Sequence, residues 1–375
     1  MTEIYLIRHC QAEGNRYHMI QGHWDGDVTA LGRRQIDALA ERFRTVKLDA
    51  LYSSDLCRAR LTASALSRFH ALPIRSTAQL REIHMGRWET KFFGNLVHEE
   101  PELAYAFLHE QDKFAVEGGE TYAEVAARAC AALEEIARAH PGQAVAVVSH
   151  GITIRCILSR ILDIPLRETG RLPIGGNTAV THLFHDGGRF TADYLNDCSH
   201  LDAADNLSRS WGGDLRDEPL DAARDREYYC ACYADSWRGA HGSLEGFFAG
   251  PYWDSAVQHL QRDSRSVLRL YHGDAPAGLV DLDTRRGAHA GYGWISLLYL
   301  HPEYRAQGYG IQLLARAILH YRALGRRALR LHAAEVNAAA LAFYEREGFR
   351  TLSYENGNLG RLLLMERPLE GPRDV

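Results

Sequence analysis

The sequence has little that ties it to a membrane, a metal or a nucleic acid. No stretch approaches the length of a membrane span. The apolar run at residues 4–7 is stopped early by charge and lacks the basic start and long core of a signal peptide. The seven cysteines (Cys10, Cys57, Cys130, Cys156, Cys198, Cys230, Cys232) are scattered and odd in number. They show no metal-ligand or disulfide spacing, so core or surface thiols and a reducing, cytoplasmic setting are expected. A net charge of −5 gives no global basic field, which argues against nucleic acid or an anionic membrane as the main partner. Internal repeats are also missing. What remains, 46% hydrophobic and 24% charged over 375 residues, is globular and long enough for two domains.

The N-terminal half alternates strands with helices. Residues 3–7 form a short buried strand that ends at Arg8 and His9. Residues 30–43 carry apolar side chains at helical spacing. A second strand, residues 48–54, leads to Asp55 and a helix over about 57–69. A long Ala-rich helix spans about 121–139 and is stopped by Pro141 and Gly142. Residues 144–149 form the clearest strand, apolar throughout as a strand buried on both faces is, and a helix begins near Ile152. This order predicts a mostly parallel sheet covered by helices, with its ligand crevice at the carboxyl ends of the strands. Arg8 with His9, Asp55 with Arg58, and Ser149 with His150 all fall at such ends.

These residue types suit phosphoryl transfer. Charge spread over the phosphoryl oxygens calls for several fixed cationic or N–H donors, and arginine supplies planar, bidentate ones. The motifs are Arg8-His9 with Asn15, Gln21-Gly22 with Asp25 or Asp27, and Thr29 with Gly32. Further along come Ser54-Asp55-Leu56 with Arg58, Leu80-Arg81-Glu82 with Gly86, Trp88 and Glu89, Gly118 to Thr121, and Ser149-His150-Gly151. In this order they resemble the histidine phosphatase (phosphoglycerate mutase-like) superfamily over roughly the first 200 residues. The resemblance implies His9 as the phosphorylated nucleophile, Arg8, Arg58 and His150 as the phosphoryl clamp, and Asn15, Gln21 and Gly22 at the substrate. Glu82 is then the proton donor and later the activator of water. Cys10 stands where the family usually has glycine, a substitution that matters if the backbone there has positive φ. The short 80–89 segment and the short chain between Asp112 and Gly119 favour a phosphatase over a mutase. His18, His23, Trp24 and His84 lie in loops expected at the substrate mouth, whereas His70, His109 and His140 are expected to be surface or helix-end residues.

From about 196 to 226 the sequence turns polar, with glycine and proline, as a connection between domains does. Helical patterns follow at about 219–237 and 251–263, then strands at 266–272, 277–283 and 293–300. A glycine-bearing turn leads into a helix at about 308–323, then a strand at 328–333, a helix at about 337–347 and a last strand near 360–366. The turn Arg305-Ala306-Gln307-Gly308-Tyr309-Gly310 lets backbone N–H groups approach a pyrophosphate at a helix N-terminus. Together with Asn337, Phe343-Tyr344 and Gly348-Phe349, it resembles the GNAT N-acetyltransferase superfamily over about 215–368, a mixed α/β fold.

That resemblance implies acetyl-CoA as acyl donor. It is bound by the backbone of Leu298, Tyr299 and Leu300, by Arg305, Gln307, Gly308, Tyr309 and Gly310, and by Asn337. Tyr344 is the implied proton donor to the departing thiolate. Glu335 or an ordered water is the candidate base. The expected organisation is a phosphatase domain at 1–200, a linker at 201–218, an acetyltransferase domain at 219–368 and a tail at 369–375. The expected partners are a small phosphorylated metabolite and a small amine; neither resemblance requires a metal. The alternatives are a phosphate-binding sensor controlling an acetyltransferase, and a phosphomutase at the first site.

Overall fold

The computed structural model describes residues 1–206, 213–357 and 360–369. The described residues up to 206 form one compact unit, and those from 213 form another. Among the described residues no helix is long and apolar enough to cross a membrane. All seven cysteines are free thiols.

The first unit runs β1 (Thr2–Arg8), α1 (Glu13–Tyr17), α2 (Ala30–Phe43), β2 (Ala50–Ser54), α3 (Cys57–His70), β3 (Ile74–Thr77), α4 (Phe93–Glu99), α5 (Pro101–His109), α6 (Tyr122–Ala139), β4 (Ala144–Ser149), α7 (Gly151–Ile161), β5 (Val180–His185) and β6 (Phe190–Asp197). Its sheet has the order β3-β2-β4-β1-β5-β6. β1, β2, β3 and β4 pair in parallel, while β5 and β6 add an antiparallel hairpin at the edge. Sequence reading left that hairpin, α4 and α5 unassigned.

The unbroken apolar run of β4 is buried along its whole length. Val147 and Val145 face α6 and α7 through Leu133, Ile136 and Ile157. Ala146 and Val148 face α2 and α3 through Leu39, Phe43 and Ala63. Two sheet faces need two helical layers, and this alternation supplies both. Because β1 and β4 are parallel neighbours with Arg8 opposite Ser149, their ends deliver His9 and His150 side by side.

The second unit runs β7 (Leu215–Pro219), α8 (Arg226–His241), α9 (Ala249–Arg262), β8 (Val267–His272), β9 (Ala275–Asp283), β10 (Tyr292–Leu300), α10 (Gly310–Ala323), β11 (Ala328–Ala334), α11 (Ala338–Arg346), β12 (Arg350–Gly357) and β13 (Gly360–Pro368). Its sheet order is β12-β13-β11-β10-β9-β8-β7. Pairing is antiparallel except between β10 and β11.

Three boundaries differ from expectation. The linker expected at 201–218 contains β7 at its end. That strand was hidden because one of its two buried residues, beside Leu215, is Asp217, held by Arg316 Nε at 2.7 Å and by Arg265 at 2.6 Å. The helix expected from 219 starts at Arg226. β12 precedes the last expected strand. Residues 207–212 of the linker and 370–375 of the tail lie outside the described residues.

Candidate active sites

At the carboxyl ends of β1 and β4, His9 is buried and its Nδ1 lies 2.6 Å from the Cys10 carbonyl oxygen. A carbonyl only accepts, so Nδ1 carries the proton and Nε2 is left with its lone pair. Burial, then the charges of Arg58 and Arg8, hold the His9 pKa well below the ordinary imidazole value. His150 lies beside it, with ring centroids 5.0 Å apart, and neither of its nitrogens has a partner among the described residues. Its pKa is pushed down too, chiefly by burial.

Arg8 donates to the Gly175 carbonyl at 2.5 Å and keeps a buried, unpartnered Nε; burial lowers its pKa to about 10. Arg58 is 1% exposed and donates to the carbonyls of Trp24 (3.1 Å) and Gly22 (2.7 Å). That loop is held in turn by Glu89, whose carboxylate accepts the backbone N–H groups of Gly22, His23, Trp24 and Met85. Trp88, fully buried, fixes the segment that carries Glu89. The Gly86–Glu89 signature therefore positions Arg58.

Glu82 sits at the N-terminus of α7. Its carboxylate oxygens accept from Ile152 N (3.1 Å), Thr153 N (3.0 Å) and the Thr153 hydroxyl (3.1 Å). A cavity of about 350 Å³ is lined by Arg8, His9, Asn15, Gln21, Glu82 and, beyond them, Arg155 and a largely apolar wall that includes Met85 and Phe107. Arg58, His150 and Gly22 lie outside this lining. Gln21 has neither amide atom partnered among the described residues. Asn15 accepts from Ala12 N at 3.0 Å, and Asn177 donates to the His9 carbonyl at 3.0 Å. Cys10 does not have positive φ, so the departure from glycine leaves the backbone unstrained. His18, His23, Trp24 and His84, expected at the mouth, do not line this cavity; His23 Nε2 lies 3.0 Å from the Glu82 carbonyl, and its ring is tilted against that of His84 with centroids 4.7 Å apart.

In the second unit, β10 and β11 pair only from Tyr292 to Trp294, opposite Ala328 to Arg330. A bulge between Ile295 and Leu297 then turns β10 away, although both strands continue. The facing edge of β10 is left without ladder partners beyond that point. A cavity of about 600 Å³ is lined by Trp294 to Leu298, by Leu331 to Ala334, and by Asn337 and Tyr344. Asn337 caps α11 by accepting from Ala340 N at 3.1 Å. Burial raises the Tyr344 pKa to about 12.

Of the residues expected at a cofactor, Leu298, Asn337 and Tyr344 line this cavity; Tyr299, Leu300, Arg305, Gln307, Gly308, Tyr309 and Gly310 do not. Tyr299 is buried, with its hydroxyl on Asp235 at 2.9 Å. Arg305 donates to the Leu300 carbonyl and to Asp235, both at 2.8 Å. Gln307 bonds the Glu303 carbonyl. Gly308 has φ +86° with open space above it, and Gly310 opens α10 where a side chain would meet the Phe343 ring. Glu335 is exposed and pairs with Arg361 at 3.4 Å, away from the cavity lining.

Residues 4–198 match the histidine phosphatase superfamily (branch 1), and residues 226–349 match the acetyltransferase (GNAT) family. The chain belongs to the histidine phosphatase superfamily and carries a GNAT domain. The histidine phosphatase domain is 33% identical over 219 residues to a metal-independent phosphoserine phosphatase of Arabidopsis thaliana, an alignment covering 58% of this chain and 90% of that protein. It is 31% identical over 216 residues to a probable phosphoglycerate mutase, GpmB, of Salmonella choleraesuis, covering 56% of this chain and all of that protein. Among solved structures, YhfR of Bacillus stearothermophilus matches with a TM-score of 0.52 and 32% identity, over 53% of this chain and 99% of that one. The chain thus joins a phosphatase- or mutase-type domain to an acetyltransferase-type domain.

Sequence reading missed several lining residues. In the histidine phosphatase domain, Arg155 lies one turn along α7 from Gly151, a spacing that could have found it. In the GNAT domain, Tyr229, Tyr233, Trp237 and His241 recur every fourth residue of α8 and line the cavity, with Tyr233 stacked on Tyr252 at 4.1 Å. Beside them, His259 bonds Asp281 at 2.7 Å, and Asp281 accepts from Tyr229 at 2.7 Å. Acetyl-CoA, which the GNAT family implies, fits this domain on two grounds. The free β10 edge offers N–H and C=O groups to an amide-bearing arm, and the open backbone at Gly308 precedes the N-terminus of α10.

Proposed function

We propose that the first domain hydrolyses a small phosphomonoester through a phosphohistidine, and that the second transfers acetyl to a small amine. The observation that carries the first part is the His9 tautomer, with Nδ1 tied to a carbonyl and Nε2 held unprotonated beside His150 and Arg8. Nε2 attacks phosphorus as the ester P–O bond breaks. Arg8, Arg58 and His150 take the charge on the phosphoryl oxygens, assisted by Asn15. Protonated Glu82 gives its proton to the leaving oxygen. Its carboxylate then takes a proton from water, whose oxygen attacks phosphorus as the P–N bond breaks, releasing phosphate and free His9. Two lower barriers replace one high one. Relatives named as a phosphoserine phosphatase and a probable phosphoglycerate mutase agree with a small phosphorylated substrate.

In the second domain, acetyl-CoA supplies an activated acetyl thioester. The β10 edge and Asn337 hold its arm, and the turn at 308–310 its phosphates. Tyr344 Oη, protonated throughout the physiological range, donates where a departing sulfur needs a proton. The aromatic stripe of α8 lines the acceptor side.

The test is phosphate release from a panel of phosphomonoesters without added metal, by the protein and by His9→Ala. Release by the first and none by the second is expected. No release by well-folded protein refutes the hydrolase. Isomerisation of phosphoglycerate that depends on a bisphosphorylated primer would put a mutase in its place.

A further inference from the structure

We propose that Arg155 binds a carboxylate on the alcohol portion of the phosphatase substrate, so that this domain selects phosphomonoesters bearing a second anion. The inference rests on the hydrolase reading and names its substrate class. α7 begins at Gly151, directly after His150, and Arg155 lies about 6 Å further along the helix axis. It lines the same cavity as His9 and Glu82.

Its guanidinium is uncommitted. Nε is buried without a hydrogen-bond partner among the described residues, and Glu82, whose charge reaches Arg155, is bonded to Ile152 and Thr153 rather than paired with it. Other inward arginines of this unit are tied into the fold. Arg128 spans Glu120 and the carbonyls of Gln79, Arg81 and Glu82. Arg42 pairs with Asp197 at 2.5 Å, and Arg58 holds two carbonyls. Nothing in the packing explains why Arg155 is a cation.

A guanidinium left unpaired in such a place costs free energy, and arginine does not escape by losing its proton. Burial already works against its charged form. The surrounding wall of Met85, Phe107 and Ile174 lowers the local dielectric, which strengthens any pairing made there. The partners of the three arginines agree. Arg58 has Asp25 at 3.7 Å besides its two carbonyls, and Arg8 donates to the Gly175 carbonyl, whereas Arg155 has neither a carboxylate nor a carbonyl partner among the described residues. A third cation beyond the clamp matches a further anion, and the guanidinium fork fits a carboxylate bidentately. The unpartnered Gln21 amide can serve an amino or hydroxyl group next to that carboxylate. A neutral alcohol portion would leave both unused.

Matched esters test this. 3-Phosphoglycerate is compared with glycerol 3-phosphate, which has a hydroxymethyl group in place of the carboxylate, and phosphoserine with ethanolamine phosphate, which has hydrogen there, in the full-length protein, Arg155→Met and Arg155→Lys. The ratio of kcat/KM for carboxylate over matched ester should fall at least tenfold in Arg155→Met and recover in part in Arg155→Lys. An unaltered ratio, or equal loss on both members of each pair, overturns the proposal. Preference for a bisphosphorylated ester, lost in Arg155→Met, assigns Arg155 to a second phosphate and overturns the carboxylate. If no ester is hydrolysed, the hydrolase reading fails. Calorimetric binding of 3-phosphoglycerate against glycerol 3-phosphate, with and without Arg155, then decides the inference by itself.

Discussion

His9 is an imidazole whose surroundings all oppose its protonation: burial first, then two guanidinium groups. A histidine with a depressed folded pKa stays neutral down through the ordinary histidine range, so kcat/KM for hydrolysis should hold its plateau through pH 6.5. Its acid limb should appear only below that, in a pH–rate profile. The unfolded chain, by contrast, protonates His9 and His150 near the ordinary value, so stability should fall as pH drops below about 6.5. Denaturant titrations at stepped pH check that. Cys10 belongs to the same scale. Its side chain packs in the core under α2 and α3, and its backbone does not need glycine. Cys10→Gly should retain hydrolysis and lose roughly 1 kcal/mol of stability through the vacated volume and the freer chain. In the GNAT domain, Tyr344→Phe should lower kcat for acetyl transfer about 10²-fold, with little change in KM for acetyl-CoA.

Elements decide how those residues are held. The loop at 22–24 carries no catalytic group in its side chains, yet its carbonyls hold Arg58, and Glu89 gathers its N–H groups. Glu89→Ala should therefore cost about 2 kcal/mol or more and reduce kcat/KM for hydrolysis beyond tenfold, although it lies outside the cavity lining. Thermal unfolding and steady-state kinetics on the one variant separate the two effects. Gly308 stands in the left-handed region at a turn that leads into α10. Gly308→Val, placing a branched side chain there, should raise KM for acetyl-CoA with less effect on kcat. Much at this scale was legible in the sequence. The apolar run of β4, the Thr121–Glu124 capping box of α6 and the strand-to-helix turn at 305–310 are local signals. β7 was not, because a buried aspartate that is neutralised by arginines distant in sequence reads as solvent-facing.

Among the described residues each unit has buried apolar clusters of its own. Those of the first unit lie on the two faces of its sheet and around Trp88 and Phe107, and one in the second lies where α8 and α9 pack on β8, β9 and β10. Each unit buries its own apolar surface, so His9→Ala should remove phosphate release and leave acetyl transfer within about twofold. Tyr344→Phe should do the reverse. Assaying both activities on both variants tests this.

The sequence by itself determined the strands and helices that carry the candidate sites, though not β5, β6, β7, β12, α4 or α5, together with the two family resemblances and the residues proposed for chemistry, His9, Glu82, His150 and Tyr344. Those depend on residue identity and on short-range period, which a chain carries before it folds. The tertiary structure alone decided which side chains remain without partners. Arg155 is free and Arg128 is not, although both are arginines on helices of the same unit, because only the folded sheet sets carboxylates and carbonyls within reach of one. The same holds for the parting of β10 from β11, the removal of Glu335 from the cavity, and the grouping of His259 with Asp281. Each depends on register between segments far apart in sequence, and register is fixed only when the sheet forms.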